Sequence, residues 1–586
     1  GCQYLHQAID LCAGERTYQP EDQHKERTHA CKIVEDPYTS PTSNPSANGN
    51  RLHLMRICSF LLSFVLSLEV SAQLTVFRCT HPLIDWRLNG ELRAKDWTIT
   101  PSARPDVLEV HCTDGPGRVS FIDGNDSLEL VVDVGETKDF VVLVPGLDSA
   151  FTRVVGKAYR PTQVFDLLAP ENHPVLRWLQ VSAVPIIHAA QGYGRLDGEF
   201  AKAQVVGLGE ATHGQHEAFE LKRALTMHLI RNHGYRLVAY EASASSAIVC
   251  DDYIAGRNDD RRAALGGLSM LIWQVDENAA LLDDLRAWNA KAAPADRVRF
   301  IGVDAQDGGA VEERLSTLLG EQRGSLVARI HDLTGRASAA TNALFQGDRA
   351  AFDQMNTDAA QVARDIEQAT KDDTQAPEIR LRAQELLAYL GMYGTRGGRD
   401  KAMAELLLTQ MNATAPRTRC VLWAHNAHVQ KSPMAYMGTD ELATGGHLRA
   451  ALGEAYYVLG FTFGEGGFQA TAPMADGRQG FKRYTHKPAP KGSLEWQLAQ
   501  AQPLSHTLDL RSAPADPVIQ QWLTLGHGMR WWGGYNVPDD VDANTSDPSQ
   551  LWQLHPIADF DGLVYLAKTT AAIPVDNERI LSSSER

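Results

Sequence analysis

The stretch Val205-Val206-Gly207-Leu208-Gly209-Glu210-Ala211-Thr212-His213-Gly214 decides the fold. An apolar run of strand character ends in Gly-x-Gly, a Glu and a His follow at once, and a helical pattern begins. A strand that passes into a helix through a short turn belongs to a parallel sheet, whose ligands bind outside the carboxyl ends of the strands. Polar side chains on that turn are set up for chemistry. Cys420-Val421-Leu422-Trp423-Ala424-His425-Asn426-Ala427-His428 is a second apolar strand, and it ends in two histidines.

Working outward, strands alternate with helices from about residue 161. Strand Gln204–Gly209 leads to an amphipathic helix His216–Asn232, and strand Arg236–Tyr240 ends at Glu241. Helix Asn278–Ala290 precedes strand Arg297–Val303, which ends at Asp304-Ala305-Gln306. Residues 309–392 are charged and helical in composition, a helical insertion suited to cover a cleft. Helix Arg399–Met411 leads into the strand ending at His425, with further strands at Ala455–Phe463 and Phe560–Lys568. The alternation predicts an α/β domain over 161–586, a mostly parallel sheet flanked by helices. Residues 73–160 carry short alternating strands instead, among them Leu108–Cys112, Ser127–Val134, Asp139–Val144 and Phe151–Val155, separated by turns. A small N-terminal all-β domain with an accessory or packing role is expected there.

Glu210 and His213, Glu241, Asp304 and Gln306, and His425 and His428 stand at four strand ends. If those strands are parallel neighbours, all of these residues gather on one rim of the sheet. Imidazole takes a proton from water near neutral pH, and a carboxylate beside it fixes the tautomer and stabilises the cation. The set is suited to hydrolysis. Each member alone has a plainer reading: Glu210 as a helix cap favoured by the dipole, the histidines as partners of backbone groups.

Gly209-Glu210-Ala211-Thr212-His213-Gly214-Gln215-His216-Glu217 resembles the Gly-Glu-x-x-His-Gly-x-x-Glu signature of the erythromycin esterase family. The resemblance continues through Tyr240-Glu241, Trp273-x-x-Asp276-Glu277, Gly302-x-Asp304-x-Gln306, Arg399-Asp400-x-Ala402-Met403-Ala404-Glu405 and Trp423-Ala424-His425-Asn426-x-His428. Gly492-Ser493-Leu494-Glu495, Leu508-Asp509-Leu510-Arg511 and Asp559-Phe560-Asp561 extend it to about residues 175–575. It implies a two-lobed α/β fold and hydrolysis of a macrolactone ester, opening macrolide antibiotics and so conferring resistance. His213 would be the general base on water. Glu210, Glu241, His425 and His428 would complete the catalytic set, and Trp273, Glu277, Asp304, Gln306 and Arg399 would bind substrate. The family mechanism needs no metal, no other cofactor and no covalent serine, in keeping with the lack of Gly-x-Ser-x-Gly in the chain. Val275 stands where the family often has Thr, and Leu406 where it often has Asn. These departures bear on the substrate more than on the chemistry.

The formal net charge of -16 argues against a nucleic-acid partner bound by phosphate neutralisation. Met55-Arg56, the apolar run Ile57–Leu68 and Glu69-Val70-Ser71-Ala72-Gln73 have the layout of a secretory signal peptide, too short for a membrane span. On that reading translation starts at Met55, residues 1–54 are upstream sequence, 55–72 are the signal, and the mature protein is secreted or periplasmic. The alternative is a disordered tail before a buried or anchoring helix. Cys79 and Cys112 form a disulfide candidate if the protein is exported, and no CxxC occurs. Two other functions stay open: a metal-dependent hydrolase using the same His/Glu cluster, and a non-enzymatic secreted ligand-binding protein.

Overall fold

The computed structural model describes residues 174–581, apart from 187–192, 396, 415–416, 435–438, 502–503, 536 and 543–550, together with the backbone of strands between residues 75 and 142. The expected signal segment, the strand expected at Phe151–Val155, and the side chains of Cys79 and Cys112 lie outside the described residues.

The early strands are β1 (Thr75–Cys79), β2 (Ile84–Leu88), β3 (Glu91–Arg93), β4 (Asp96–Ile99), β5 (Asp106–Cys112), β6 (Gly117–Asp123), β7 (Asp126–Val132) and β8 (Thr137–Val142). They pair antiparallel in two sheets of four, ordered β4-β1-β6-β7 and β3-β2-β5-β8.

The larger sheet holds β9 (Val184–Pro185), β10 (Val205–Leu208), β11 (Leu237–Ser243), β12 (Arg299–Asp304), β13 (Cys420–Trp423), β14 (Tyr456–Pro473), β15 (Gln479–His486), β16 (His506–Asp509) and β19 (Gly562–Thr569). Two further strands, β17 (His527–Met529) and β18 (Trp552–Leu554), form a separate pair. The order is β12-β11-β13-β10-β14-β19-β16-β9, with β15 on the far part of β14. Strands β12 through β19 in this order are mutually parallel. Antiparallel β16, β9 and β15 were not expected from the sequence.

Successive side chains of a strand point to opposite faces, and the core divides accordingly. Val206, Leu208, Val238, Tyr240, Val421 and Trp423 pack with Phe219, Leu225, Leu282 and Leu285 of the helices His216–His233 and Asp276–Asn289. Val205, Leu237, Ala239, Cys420 and Leu422 pack on the other face with Met403, Leu407 and Leu498 of the helices Gly398–Thr414 and Leu494–Ala501. Both faces are covered, so these strands read as continuous apolar runs.

Four helices, Gly308–Leu319, Gly324–Phe345, Ala350–Thr370 and Ala376–Gly391, form the insertion around a core of their own that includes Ile330, Phe352, Met355, Ile366 and Leu386. Strand β14 runs on well beyond Phe463, where the sequence reading ended it. Gly466 takes a φ of 114° there, and a Cβ on it would stand 2.1 Å from the Thr569 carbonyl oxygen. Glycine lets the chain turn away from β19 and continue into the β15 hairpin.

Candidate active site

Leu208 is in register with Trp423 and Tyr240 with Gly302, so the turns after β10, β11, β12 and β13 leave the sheet on the same rim. Two glycines let the first of these turns pack tightly. A Cβ on Gly209 would lie 2.1 Å from Asn426 Oδ1, and one on Gly214 only 1.9 Å from the Gln469 carbonyl oxygen. Asn426 fills the first of these spaces, donating to the Phe461 carbonyl and accepting from the Phe461 N–H, while its own N–H donates to the Glu210 carbonyl. The two His-bearing turns are thereby knitted together, and the His213 and His425 ring centres lie 4.8 Å apart.

Glu210 is buried and divides its carboxylate. Oε1 lies 2.6 Å from His213 Nδ1, and Oε2 accepts from Lys222 Nζ at 2.7 Å. Burial favours the neutral acid, but Lys222 and His213 outweigh it and hold the Glu210 pKa below the usual carboxylate range. The carboxylate therefore fixes the N–H of His213 on Nδ1. Nε2 carries the lone pair, with no hydrogen-bond partner among the described residues. The Trp273 indole stands edge-to-face against the His213 ring at 4.5 Å.

Glu241 is the hub of a second network. Its Oε2 accepts the His425 N–H at 2.9 Å, and its Oε1 accepts Arg399 Nη2 at 2.9 Å and lies 3.3 Å from His428 Nε2. Arg399 also grips Asp304, with Nη2 to Oδ2 at 2.7 Å and Nε to Oδ1 at 3.2 Å. Gln306 Nε2 donates to Asp304 Oδ2 at 2.6 Å. His428 Nδ1 lies 2.8 Å from Asp400 Oδ1, which also accepts the N–H and hydroxyl of Thr444. Burial opposes charge on His428, but Asp400 and Glu241 prevail and push its pKa up to about 10. His425 is the opposite case. Burial, reinforced by His213, lowers its pKa to about 3. Its Nδ1 accepts from the Ala427 N–H, so its Nε2–H donates to the Trp532 carbonyl at 3.2 Å. The two histidines, three residues apart, are shifted in opposite directions, and His428 Nε2 also lies 3.2 Å from Arg399 Nη1.

The profile of the erythromycin esterase family matches residues 230–569, more than half of the chain. The chain belongs to the erythromycin esterase family. Erythromycin esterase type II of Escherichia coli is 24% identical over 347 residues, which is 53% of this chain and 82% of that relative. A Bacillus cereus protein of known structure aligns over 70% of the chain and all of its own length, with a TM-score of 0.56 and 21% identity. A mutant erythromycin esterase in its open conformation aligns over 65% of the chain and 95% of its own, with a TM-score of 0.50 and 17% identity. At these identities the solved structures establish the α/β fold, and the family makes the protein a hydrolase of the esterase type.

In this erythromycin esterase family member, the structure gathers Glu210, His213, Glu241, His425, His428, Asp304, Gln306, Arg399 and Trp273 at the rim. Glu277 is placed differently: its carboxylate meets His216 Nδ1 and accepts the Ile573 N–H, tying the C-terminal segment to the helix Asp276–Asn289. Val275 and Leu406 are fully buried in the core. Sequence reasoning missed Lys222, although a lysine on the buried stripe with Ala218, Phe219 and Leu225 is a readable signal. It also missed Asp400 as the partner of His428, and the loop bearing Trp532 and Gly534 that closes over His213 and His425.

Proposed function

We propose that this protein hydrolyses a carboxylic ester or macrolactone with His213 as the general base. The observation that carries this reading is the Lys222–Glu210–His213 relay, which leaves a lone pair on Nε2 of a side chain that stays 11% exposed, beside the Arg399–Glu241–His428 network. Nε2 takes a proton from water, and the water oxygen bonds to the acyl carbon. The carbonyl oxygen gains the displaced electron pair. Arg399, which keeps 26% of its side chain exposed, and the His428 imidazolium supply positive charge for that oxyanion. The bond to the leaving oxygen then breaks, and His213 returns its proton to the alkoxide. Glu241 positions rather than reacts, because both of its oxygens are committed to Arg399, His428 and the His425 N–H. His425 likewise has both ring nitrogens engaged.

We further infer export from the Met55–Gln73 segment, which would let the enzyme meet a macrolide before it reaches the ribosome. The decisive experiment incubates purified protein with macrolides, simpler lactones and esters, and reads addition of one water by mass spectrometry. A product is expected with the wild type, and about 10³-fold less of it in the same time with His213→Ala. Full activity in His213→Ala would overturn the assignment of the base, and no hydrated product from any lactone or ester would overturn the reaction.

A further inference from the structure

The edge of the sheet opposite the catalytic rim holds a second histidine cluster. The helix His216–His233 begins beside the catalytic turn and rises about 1.5 Å per residue, so His228 lies roughly 20 Å along it. There Asp197 Oδ1 lies against His228 Nε2 and is 2.9 Å from His233 Nε2. Five residues apart on a helix, the two histidines should project about 140° from each other. Their Nε2 atoms nevertheless converge on one carboxylate oxygen from the helix end. All three ligand atoms lie within 4.8 Å of one another, and no other group of three such residues does so among the described residues.

The surroundings hold that convergence in place. Tyr193 stands edge-on to the His228 ring at 4.9 Å, and Phe200 edge-on to His233 at 6.0 Å. Asp197 Oδ2 accepts the Tyr193 N–H at 3.0 Å, which leaves Oδ1 as the single free ligand oxygen. The Asn232 amide places its Nδ2 2.9 Å from His228 Nδ1. With its oxygen turned to that nitrogen it would accept Nδ1–H and leave the Nε2 lone pair for a metal, the usual support of a metal-bound imidazole. The side chains of His228 and His233 are 11% and 12% exposed and that of Asp197 is 32% exposed, so an ion has a way in and a fourth position open to water.

We propose that Asp197, His228 and His233 form a structural site for a divalent transition metal of the zinc class. Two imidazoles and a carboxylate suit such ions rather than calcium or magnesium. A tetrahedral zinc with bonds of about 2.0–2.1 Å sets its ligand atoms about 3.3–3.4 Å apart, so the carboxylate needs to withdraw by less than 1 Å to admit it. The bound ion would clamp the segment Tyr193–Phe200 to the end of the helix that carries Lys222.

The test titrates Zn2+, and separately Co2+, into chelator-treated full-length protein by calorimetry and visible absorption. One equivalent is expected to bind with micromolar or tighter affinity in the wild type and in His213→Ala. Asp197→Asn and His233→Gln should each weaken binding at least tenfold with the circular dichroism spectrum intact. A wild type that binds no zinc, or variants that bind it as tightly, would overturn the proposal and leave a hydrogen-bonded triad. Protection of His228 and His233 from diethyl pyrocarbonate by zinc, mapped by peptide mass spectrometry on the wild type, needs no variant to fold. Modification unchanged by zinc would equally overturn the site.

Discussion

The two edges of the sheet both bury charge, yet they differ in what they leave open. At the opposite edge Asp561 is saturated: Oδ1 accepts from Lys431 Nζ at 2.7 Å and Arg511 Nε at 2.9 Å, and Oδ2 accepts the Val458 N–H. Asp561 and Arg511 belong to the last family motifs, and the geometry is that of a brace between β14, β16 and β19. At the rim proposed to be catalytic Glu210 is saturated in the same manner, but one of its partners is an imidazole whose second nitrogen has no hydrogen-bond partner among the described residues. A buried ion pair does structural work when its far end is closed, and chemical work when the far end reaches solvent. The difference lies in one lone pair.

The sharpest way to break the comparison is to remove that lone pair. His213→Ala should lower kcat by about 10³-fold, within the usual range for a general base, while the melting temperature stays that of the wild type. Asp561→Asn should do the reverse. A comparable fall in kcat for both variants, measured on the same ester, would show that the rim is only another brace.

The second test uses pH. His425 is held neutral, with a pKa lowered from 6.5 to about 3. Between those values the unfolded chain binds a proton that the folded chain refuses. The stability from this group is therefore complete above pH 6.5 and is lost as pH falls. Each pH unit in that window costs about 1.4 kcal/mol per proton. Denaturant unfolding between pH 6.5 and 4 should show a shallower slope for His425→Asn than for the wild type. Equal slopes would mean that folded His425 carries the proton.

The third test is Lys222→Met, which strands the Glu210 carboxylate in the core and should cost about 4 kcal/mol, the scale for breaking a buried pair. Adding Glu210→Gln should recover most of the stability and none of the activity, because the glutamine no longer holds a negative charge behind His213. Asp561→Asn follows at about 2 kcal/mol, since Asn keeps the shape and one acceptor but loses the charge shared by Lys431 and Arg511. Chemical denaturation of the four proteins separates these outcomes, and recovery of activity in the double variant would remove Glu210 from the mechanism.

How much of this was legible follows from the range of each interaction. The parallel strands were readable because burial on both faces makes them unbroken apolar runs ended by glycine and a polar turn. Read as parallel neighbours they would bring Glu210, Glu241, Asp304 and His425 to one rim, and the sheet order β12-β11-β13-β10 makes them neighbours. Antiparallel β9 and β16 escaped because they are short, and the far half of β14 because three glycines, Gly464, Gly466 and Gly467, look like its end. The division of labour between His425 and His428 was not legible either. It depends on Asp400 and on the carbonyl of Trp532, which meets His425 across 107 residues of sequence, and no local pattern reports such a partner.

That same distant loop gives the smallest and most discriminating prediction. Gly534 has no side chain, and a Cβ built on it would stand 3.0 Å from His213 Cδ2 and 3.7 Å from Ile272 Cγ1. The contact is tight, but a shift of a few tenths of an ångström relieves it, so Gly534→Ala should fold with a stability within about 1 kcal/mol of wild type. The methyl group lies over the ring of the base. If His213 works from its present position, the shift falls on the catalytic imidazole, and kcat should drop several-fold with little change in KM. A substitution of the same size at Gly562, whose Cβ would meet Leu459 and Tyr457 at the opposite edge, should register in stability alone. An unchanged kcat in Gly534→Ala would mean that the loop swings clear of His213 during turnover, and that the closed arrangement is not the reacting one.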